Sequence, residues 1–202
     1  MSRKYKIITF IVIFLILSTS IYLILNFNDR NSPDFEAKAE VLWVSDGDTI
    51  GVKILKVDNS FDHIETGKDV VRFAGIDTEE IHREDAISEH PDVKYLTQKE
   101  YESSEYYAHA VDAKELVKSL AGRGSIVYLD LDEGVKGGNC RGHFGRLIAV
   151  VYSKIDNRII NVNARVLNQE YPTSYDPDYG LITDYPSEFE PRKWLSEDYA
   201  YI

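Results

Sequence analysis

The sequence predicts an α+β fold, in which about three helices pack against a small five-stranded β-barrel. One N-terminal membrane-spanning helix precedes this domain. Three observations predict it: short β-branched runs with period-2 alternation, a helical stripe in the middle of the chain, and a long apolar run at the start. The 202 residues are 44% hydrophobic and 12% aromatic, which is enough for one core and excludes a disordered chain.

The apolar run covers residues 7–27. At about 1.5 Å per residue, a helix of this length spans roughly the 30 Å of a bilayer core. Arg3, Lys4 and Lys6 precede it, so the positive-inside rule places the amino terminus in the cytoplasm and the rest of the chain outside. A cleaved signal peptide, which would give a secreted protein, is the alternative. The predicted organisation is an anchor over 1–27, a polar tether over 28–38 and one domain over 39–202.

Charge and cysteine content narrow the function classes. The formal net charge is −11, and beyond residue 27 the chain carries 20 basic and 34 acidic residues. A generally basic nucleic-acid-binding surface is therefore excluded, and a polyanionic substrate would need a local basic patch or a bound cation. The single cysteine, Cys140, excludes an internal disulfide and a multi-cysteine metal site. The histidines show no metal-ligand spacing and are interpreted as structural or surface residues.

Alternating apolar residues predict the strands, and Ile50, Val52 and Ile54 share one face of the second. The predicted strands cover residues 40–44, 49–57, 69–76, 125–131 and 146–152. Gly75 marks a bulge or a close backbone approach in the third. Because no βαβ alternation is present, these strands indicate a Greek-key barrel of the OB type.

Helices are predicted between and after the later strands. The clearest covers residues 107–121 and ends at Gly122; its apolar stripe consists of Val111, Leu116, Val117 and Leu120. Asn163 is predicted to cap a later helix through its side chain. Residues 81–106 form an acidic, tyrosine-rich insertion with few periodic apolar positions, predicted to be a solvated, mobile loop, partly helical from Thr97. The glycine-rich stretch 133–142 is predicted to be flexible.

Carboxylates follow two of the predicted strand boundaries. Asp46-Gly47 lies between apolar runs and predicts a hairpin turn, in which glycine would adopt a positive φ. Asp48 comes directly after it, and a second cluster, residues 77–80, follows the third strand. Acidic groups held at strand ends can converge on one hard cation, which prefers oxygen ligands.

Five sequence fragments together resemble the staphylococcal nuclease (thermonuclease) family. They are Ser45-Asp46-Gly47-Asp48-Thr49, Arg72 with Asp77-Thr78 and Glu80, Phe144-Gly145-Arg146, Val162-Asn163-Ala164, and Trp194 near Ser196-Glu197-Asp198. The fragments occur in the family's order and cover roughly residues 39–198. The likeness implies an OB-fold nuclease domain that cuts DNA, RNA or both to leave 3′-phosphates, and we expect it to act as a monomer.

The resemblance also implies roles for individual residues. Asp48 and Asp77 would bind Ca2+, with the backbone carbonyl of Thr78. Glu80 would be the general base, and Arg72 and Arg146 would hold phosphate oxygens in planar, bidentate contacts. Phe144 is expected to stack on a base of the nucleic acid. Tyr175 is expected to contribute stacking as well.

Departures from the family pattern leave other interpretations open. Glu79 stands where the family has proline, and Phe144 stands where it commonly has tyrosine. Arg72 could form only a structural ion pair with Asp77 or a loop acid. The alternative function is a catalytically weak or inactive OB-fold module that binds nucleic acid or a protein. A sugar- or peptide-binding surface domain, using the acidic insertion, is a third class.

Overall fold

Six strands and four α-helices make up the described part of the computed structural model, which covers residues 35–135, 137–156, 158–168 and 187–195. In chain order the elements are β1 (Ala37–Val44), β2 (Thr49–Val57), β3 (Gly67–Phe73), α1 (Arg83–Glu89), α2 (Gln98–Tyr101), α3 (Glu105–Ala121), β4 (Ile126–Leu131), β5 (Leu147–Ile155), β6 (Arg158–Asn161) and α4 (Val162–Leu167). Short 3-10 helices cover Asn59–Phe61, Pro91–Tyr95 and Pro191–Leu195.

The first five strands close into a mixed β-barrel. Their order is β3-β2-β1-β4-β5, all antiparallel, and a parallel pairing of β3 with β5 joins the two edges. Closure removes the free edges that an open sheet would expose. The prediction of an α+β fold with a five-stranded barrel is confirmed at this level, and the topology is consistent with an OB-like fold. The short β6, which the sequence analysis missed, pairs with the outer edge of β5.

Strand alternation builds the barrel interior. Ala37, Ala39 and Val41 of β1 are buried, and so are Ile50, Val52 and Ile54 of β2, as the period-2 pattern predicted. Phe35 stacks on Tyr152 with 4.6 Å between the ring centroids. The last residues of the predicted tether therefore already belong to the described barrel.

Helix α3 packs through a face that is richer in alanine than the predicted stripe but includes its Val117, and Leu116 and Leu120 pack against the core as well. Its buried residues are Ala110, Ala113, Val117 and Ala121, whereas Val111, Leu116 and Leu120 are only partly buried. Small alanine side chains let a helix approach its neighbours closely, which a hydrophobicity stripe does not register. The helix begins two residues earlier than predicted, at Glu105, where the Ser104 side chain accepts from the backbone N–H of Tyr107.

The prediction of a mobile loop over residues 81–106 was wrong for its first part, whereas the helical structure predicted from Thr97 is present. This insertion contains α1, α2 and a 3-10 helix, and it has a small core of its own formed by Ala86, Val93 and Tyr101. Thr97 and Glu100 form a capping box at the start of α2. Short helices separated by turns give no long periodic pattern, so the sequence signal was weak.

The interpretation of Asn163 was also wrong. Asn161 is the residue that caps α4, accepting from the N–H of Ala164. Asn163 is fully buried: its side chain accepts from Val151 N at 2.9 Å and donates to the carbonyls of Ala74 and Ala149 at 3.0 and 3.3 Å. It therefore joins α4, β5 and the turn after β3.

Two further points concern the predicted membrane span and the single cysteine. No helix within the described residues is long and apolar enough to cross a membrane, and the predicted span 7–27 lies outside them. Cys140 is a free thiol buried in the barrel core, where it packs as an apolar side chain. Burial raises its pKa to about 11, which makes the thiolate form scarce at neutral pH.

Removing the Asn163 side chain should destabilise the barrel. Asn163→Ala leaves the Val151 amide and the Ala74 carbonyl without this partner in a buried place, so we expect the unfolding free energy to fall by about 2–4 kcal/mol. Urea unfolding of the full-length chain in detergent, followed by circular dichroism, measures the change. The exposed Asn59→Ala is the matched control. A loss no larger than that of the control would contradict the role assigned to Asn163.

Asp130 should make stability depend on pH. Burial, followed by the charges of Glu36 and Glu188, raises its pKa from 3.8 to about 7. The folded state therefore binds this proton more tightly than the unfolded state, and the stabilisation present below about pH 4 is lost as the pH rises through about 7. We expect Asp130→Asn to reduce the fall in melting temperature between pH 5 and 8. Exposed Asp112→Asn should leave that fall unchanged, and equal pH dependence in both variants would refute this assignment.

Candidate functional site

The site is built around a buried carboxylate at the start of β2. Asp48 is 1% exposed, and both of its oxygens accept hydrogen bonds. Oδ1 accepts from Thr49 Oγ1 at 2.9 Å and contacts Arg72, while Oδ2 accepts from the backbone N and the Oγ1 of Thr78 at 2.7 and 3.1 Å. A buried carboxylate requires such donors to offset its lost hydration, so these contacts fix its position.

Arg72 joins the two predicted metal-binding carboxylates. It lies on β3 opposite Thr49 of β2, so its side chain starts beside Asp48. Nη1 contacts Asp48 and Nη2 contacts Asp77. Asp48 and Asp77 therefore meet on one guanidinium, although Asp48 directly precedes β2 and Asp77 follows β3. The structural ion pair left open in the sequence analysis is present.

The turn before Asp48 depends on close packing. Gly47 does not have the positive φ that the hairpin prediction assumed. A Cβ there would lie 2.5 Å from Ala113 Cβ of α3 and 2.7 Å from Thr78 Oγ1, so only glycine fits. Asp46 Oδ1 accepts from the Asp48 N–H at 3.1 Å, which shapes the turn.

Gly75 occupies the corresponding turn after β3. It has φ 71°, and a Cβ there would lie 2.1 Å from the Pro191 ring. The prediction left a bulge and a close backbone approach open at this position, and the neighbour that the structure shows there is the Pro191 side chain. Because the chain turns here, the Asp77 carboxylate reaches the Arg72 guanidinium although the two residues are only five positions apart.

Glu80 lies partly buried at the cleft wall, in a strongly acidic surrounding. Burial raises its pKa to about 7, and the nearby charge of Asp46 acts in the same direction, while Arg72 opposes them. Its backbone carbonyl accepts from the Tyr101 hydroxyl. Glu89 lines the same cleft with a largely exposed side chain, and partial desolvation, together with the charges of Asp77 and Glu80, raises its pKa to about 8. Several carboxylates therefore lie close together in and beside this cleft.

Arg146 and Phe144 lie together in the same cleft. Arg146 directly precedes β5, and its Nη1 donates to Thr49 Oγ1 at 3.4 Å. Burial, and then the charge of Arg72, lower its pKa. Phe144 is 80% exposed, and its ring centroid is 5.6 Å from Arg146 Cζ. An exposed aromatic ring beside a cation is a surface suited to stacking.

One cleft of about 830 Å3 contains most of the predicted site residues: Arg72, Asp77, Glu80, Phe144 and Arg146. Asp48 and Thr78 are buried beside it and are connected to it through Arg72 and the turn. Tyr175 lies outside the described residues.

Arg141 is a cleft residue that the sequence analysis missed. Its guanidinium contacts both carboxylate oxygens of Asp69, at 3.1 and 2.6 Å, and donates to the Gly145 carbonyl at 2.6 Å. These contacts fix the loop that carries Phe144 and Arg146. The glycine-rich composition of residues 133–142 suggested flexibility instead, and the only available signal was a second arginine five residues before Arg146.

The insertion adds a second group of titratable side chains. Glu79, Glu89 and His90 place one ligand atom each within 4.8 Å of one another, and His90 Nε2 is 2.8 Å from Glu79 Oε2. The His90 ring stacks on Tyr106 with centroids 4.1 Å apart. Since Glu79 and His90 are eleven residues apart along a non-periodic segment, their spacing gave no signal.

In comparisons with known proteins, no protein-family model matches the chain, and no curated protein matches it.

Proposed function

We propose that this chain is a calcium-dependent phosphodiesterase of the thermonuclease type, which hydrolyses DNA, RNA or both to 3′-phosphate products outside the cytoplasm. The observation that carries the proposal is the meeting of Asp48 and Asp77 on Arg72, at a cleft that also contains Glu80 and Arg146. Hydrolysis of a phosphodiester requires these elements: an oxygen-ligated cation, cationic donors for phosphate, and a carboxylate that orients water.

The donor set fits calcium. Ca2+ prefers several oxygen ligands, and two carboxylates that reach one guanidinium can also reach one cation. Asp48, Asp77 and the carbonyl of Thr78 would hold it. When bound, it would polarise the phosphate and lower the pKa of a coordinated water. The Glu79–Glu89–His90 group includes an imidazole, which suits transition metals better than calcium, so the calcium assignment does not extend to it.

The arginines would bind the substrate. The Arg146 guanidinium lines the cleft, and among the residues that the structure describes its hydrogen-bond partner is Thr49, at a long 3.4 Å, so binding phosphate oxygens would cost it little within this part of the chain. Arg72 differs, because both of its terminal nitrogens contact carboxylates. It would have to turn away from at least one of them to donate to a phosphate. Planar donor forks match phosphate geometry in a way that lysine does not.

Glu80 and Phe144 would complete the site. Glu80 lines the cleft beside Asp77 and would accept a proton from the attacking water. Phe144 would stack on a base of the bound strand. We further propose that the protein acts as a monomer, anchored through residues 7–27 or secreted after cleavage.

One observation favours the second candidate, an inactive OB-fold module. Arg72 is engaged by two carboxylates, as in an ion pair that serves stability only. Such a module would keep the barrel and bind nucleic acid or a protein without cleaving it. Cleavage assays separate the two functions.

The proposed activity can be measured with the full-length chain in detergent, single-stranded DNA or RNA, and either calcium or a chelator. We expect calcium-dependent cleavage, and at least ~100-fold slower cleavage by Glu80→Gln and by Arg72→Ala. The products should carry 3′-phosphates, which block polymerase extension until a phosphatase removes them. The exposed substitutions Glu65→Gln and Arg123→Ala are matched controls.

Two outcomes would refute the enzyme. The first is an absence of calcium-dependent cleavage of either nucleic acid. The second is undiminished cleavage by Glu80→Gln or Arg72→Ala, since residual activity would then come from a contaminant or another site. Binding without cleavage would instead support the inactive module.

Calcium binding can be tested without any activity. Calorimetry should show at least ~10-fold weaker binding to Asp77→Asn, because one carboxylate charge is lost, and unchanged binding to the exposed control Asp62→Asn. Arg72→Ala should bind calcium at least as tightly as the unmodified chain, because the guanidinium competes for the same two carboxylates. Weaker binding by Arg72→Ala, with an unchanged circular dichroism spectrum, would contradict this competition.

A further inference from the structure

The insertion over residues 81–106 contacts the turn that carries Glu80. The Tyr101 hydroxyl, from the last residue of α2, donates to the backbone carbonyl of Glu80. The Tyr101 ring is fully buried in the small core with Ala86 and Val93. The hydrogen bond therefore comes from a side chain that its own packing holds in place.

A second contact fixes the preceding residue. The Glu79 side chain is 4% exposed, and its Oε2 is 2.8 Å from His90 Nε2. The His90 ring in turn stacks on Tyr106 of α3. Consecutive residues of the turn are thus held by two different parts of the insertion.

The insertion is internally cross-linked, so it can act as a support. Arg83 Nε donates to the Leu96 carbonyl at 2.7 Å, and its Nη2 donates to the Lys94 carbonyl at 2.9 Å. Ser104 Oγ donates to the Tyr101 carbonyl at 2.6 Å and accepts from the first turn of α3. These bonds link α1 to the 3-10 helix and α2 to the long helix that packs on the barrel.

We propose that Tyr101 is a positioning residue for Glu80, and that the insertion sets the place of the Glu80 carboxylate in the cleft. A hydrogen bond to the Glu80 carbonyl restricts the backbone torsions of Glu80. These torsions set the direction in which the Glu80 side chain leaves the backbone. A catalytic carboxylate must be held within a fraction of an ångström, and the groups behind it provide that restraint. The inference rests on the proposed role of Glu80 in catalysis.

The test is Tyr101→Phe in the full-length chain, which removes the hydroxyl and keeps the buried ring. We expect kcat for single-stranded DNA to fall by about 10-fold while KM changes by less than about 2-fold, because Glu80 is misplaced and the binding residues are not. Hydrogen exchange of a peptide covering residues 79–82 should become faster. Tyr106→Phe is the matched control: it loses a hydroxyl of the same insertion that is 3.4 Å from Asp92 and does not contact the turn.

Each outcome decides the proposal. An unchanged kcat in Tyr101→Phe, or an equal loss in Tyr106→Phe, would overturn it, since the single bond to Glu80 would then be unimportant. A rise of KM as large as the fall of kcat would also overturn the proposal, because substrate binding, rather than the position of Glu80, would then have changed. If the unmodified chain does not cleave nucleic acid, the proposed function fails. The exchange comparison then decides separately whether Tyr101 fixes the turn, and unchanged exchange would refute that as well.

Discussion

The ion-pair network of Arg72 with Asp48 and Asp77 is the interaction on which the site depends. It connects the turn before β2, the end of β3 and the segment after β3. Asp48 is buried, and removing a partner from a buried charge costs far more than an exposed ion pair contributes. The surrounding donors, Thr49 and Thr78, and the close packing of Gly47 against α3 are all consistent with the need to hold this carboxylate in one place.

This arrangement also explains how an acidic chain could bind a polyanion. Carboxylates outnumber arginines around the cleft, and desolvation, together with repulsion between the carboxylates, raises the pKa of Glu80 and Glu89. A bound cation would reduce that repulsion and would release Arg72 for other partners. Arg146 lies close to these carboxylates, because the Thr49 hydroxyl that accepts from its Nη1 also donates to Asp48. Phe144 and Arg146 follow a loop that Arg141 fixes to Asp69. Cationic and anionic groups are therefore interspersed in the cleft.

Local sequence patterns predicted the strands of the barrel and pointed to most residues of the candidate site. They gave no information on contacts between residues that are far apart in the sequence. Alternation identified the inward face of β2, and the family resemblance pointed to Asp48, Arg72 and Asp77, which the β2–β3 pairing and the turn after β3 bring together. The sequence did not reveal the polar role of Asn163, whose partners lie 12 to 89 residues away. It also missed the alanine face of α3, since hydrophobicity does not register how closely a helix can pack. The insertion was misjudged because its helices are too short to show a period.

The most direct measurement of the central claim is a crystal structure of the chain grown with saturating calcium. The account predicts an ion bound by Asp48 and Asp77 at calcium–oxygen distances of about 2.3–2.6 Å, with the Arg72 guanidinium displaced from at least one of these carboxylates. A structure in which Arg72 still bridges both carboxylates, with no ion between them at saturating calcium, would contradict the account.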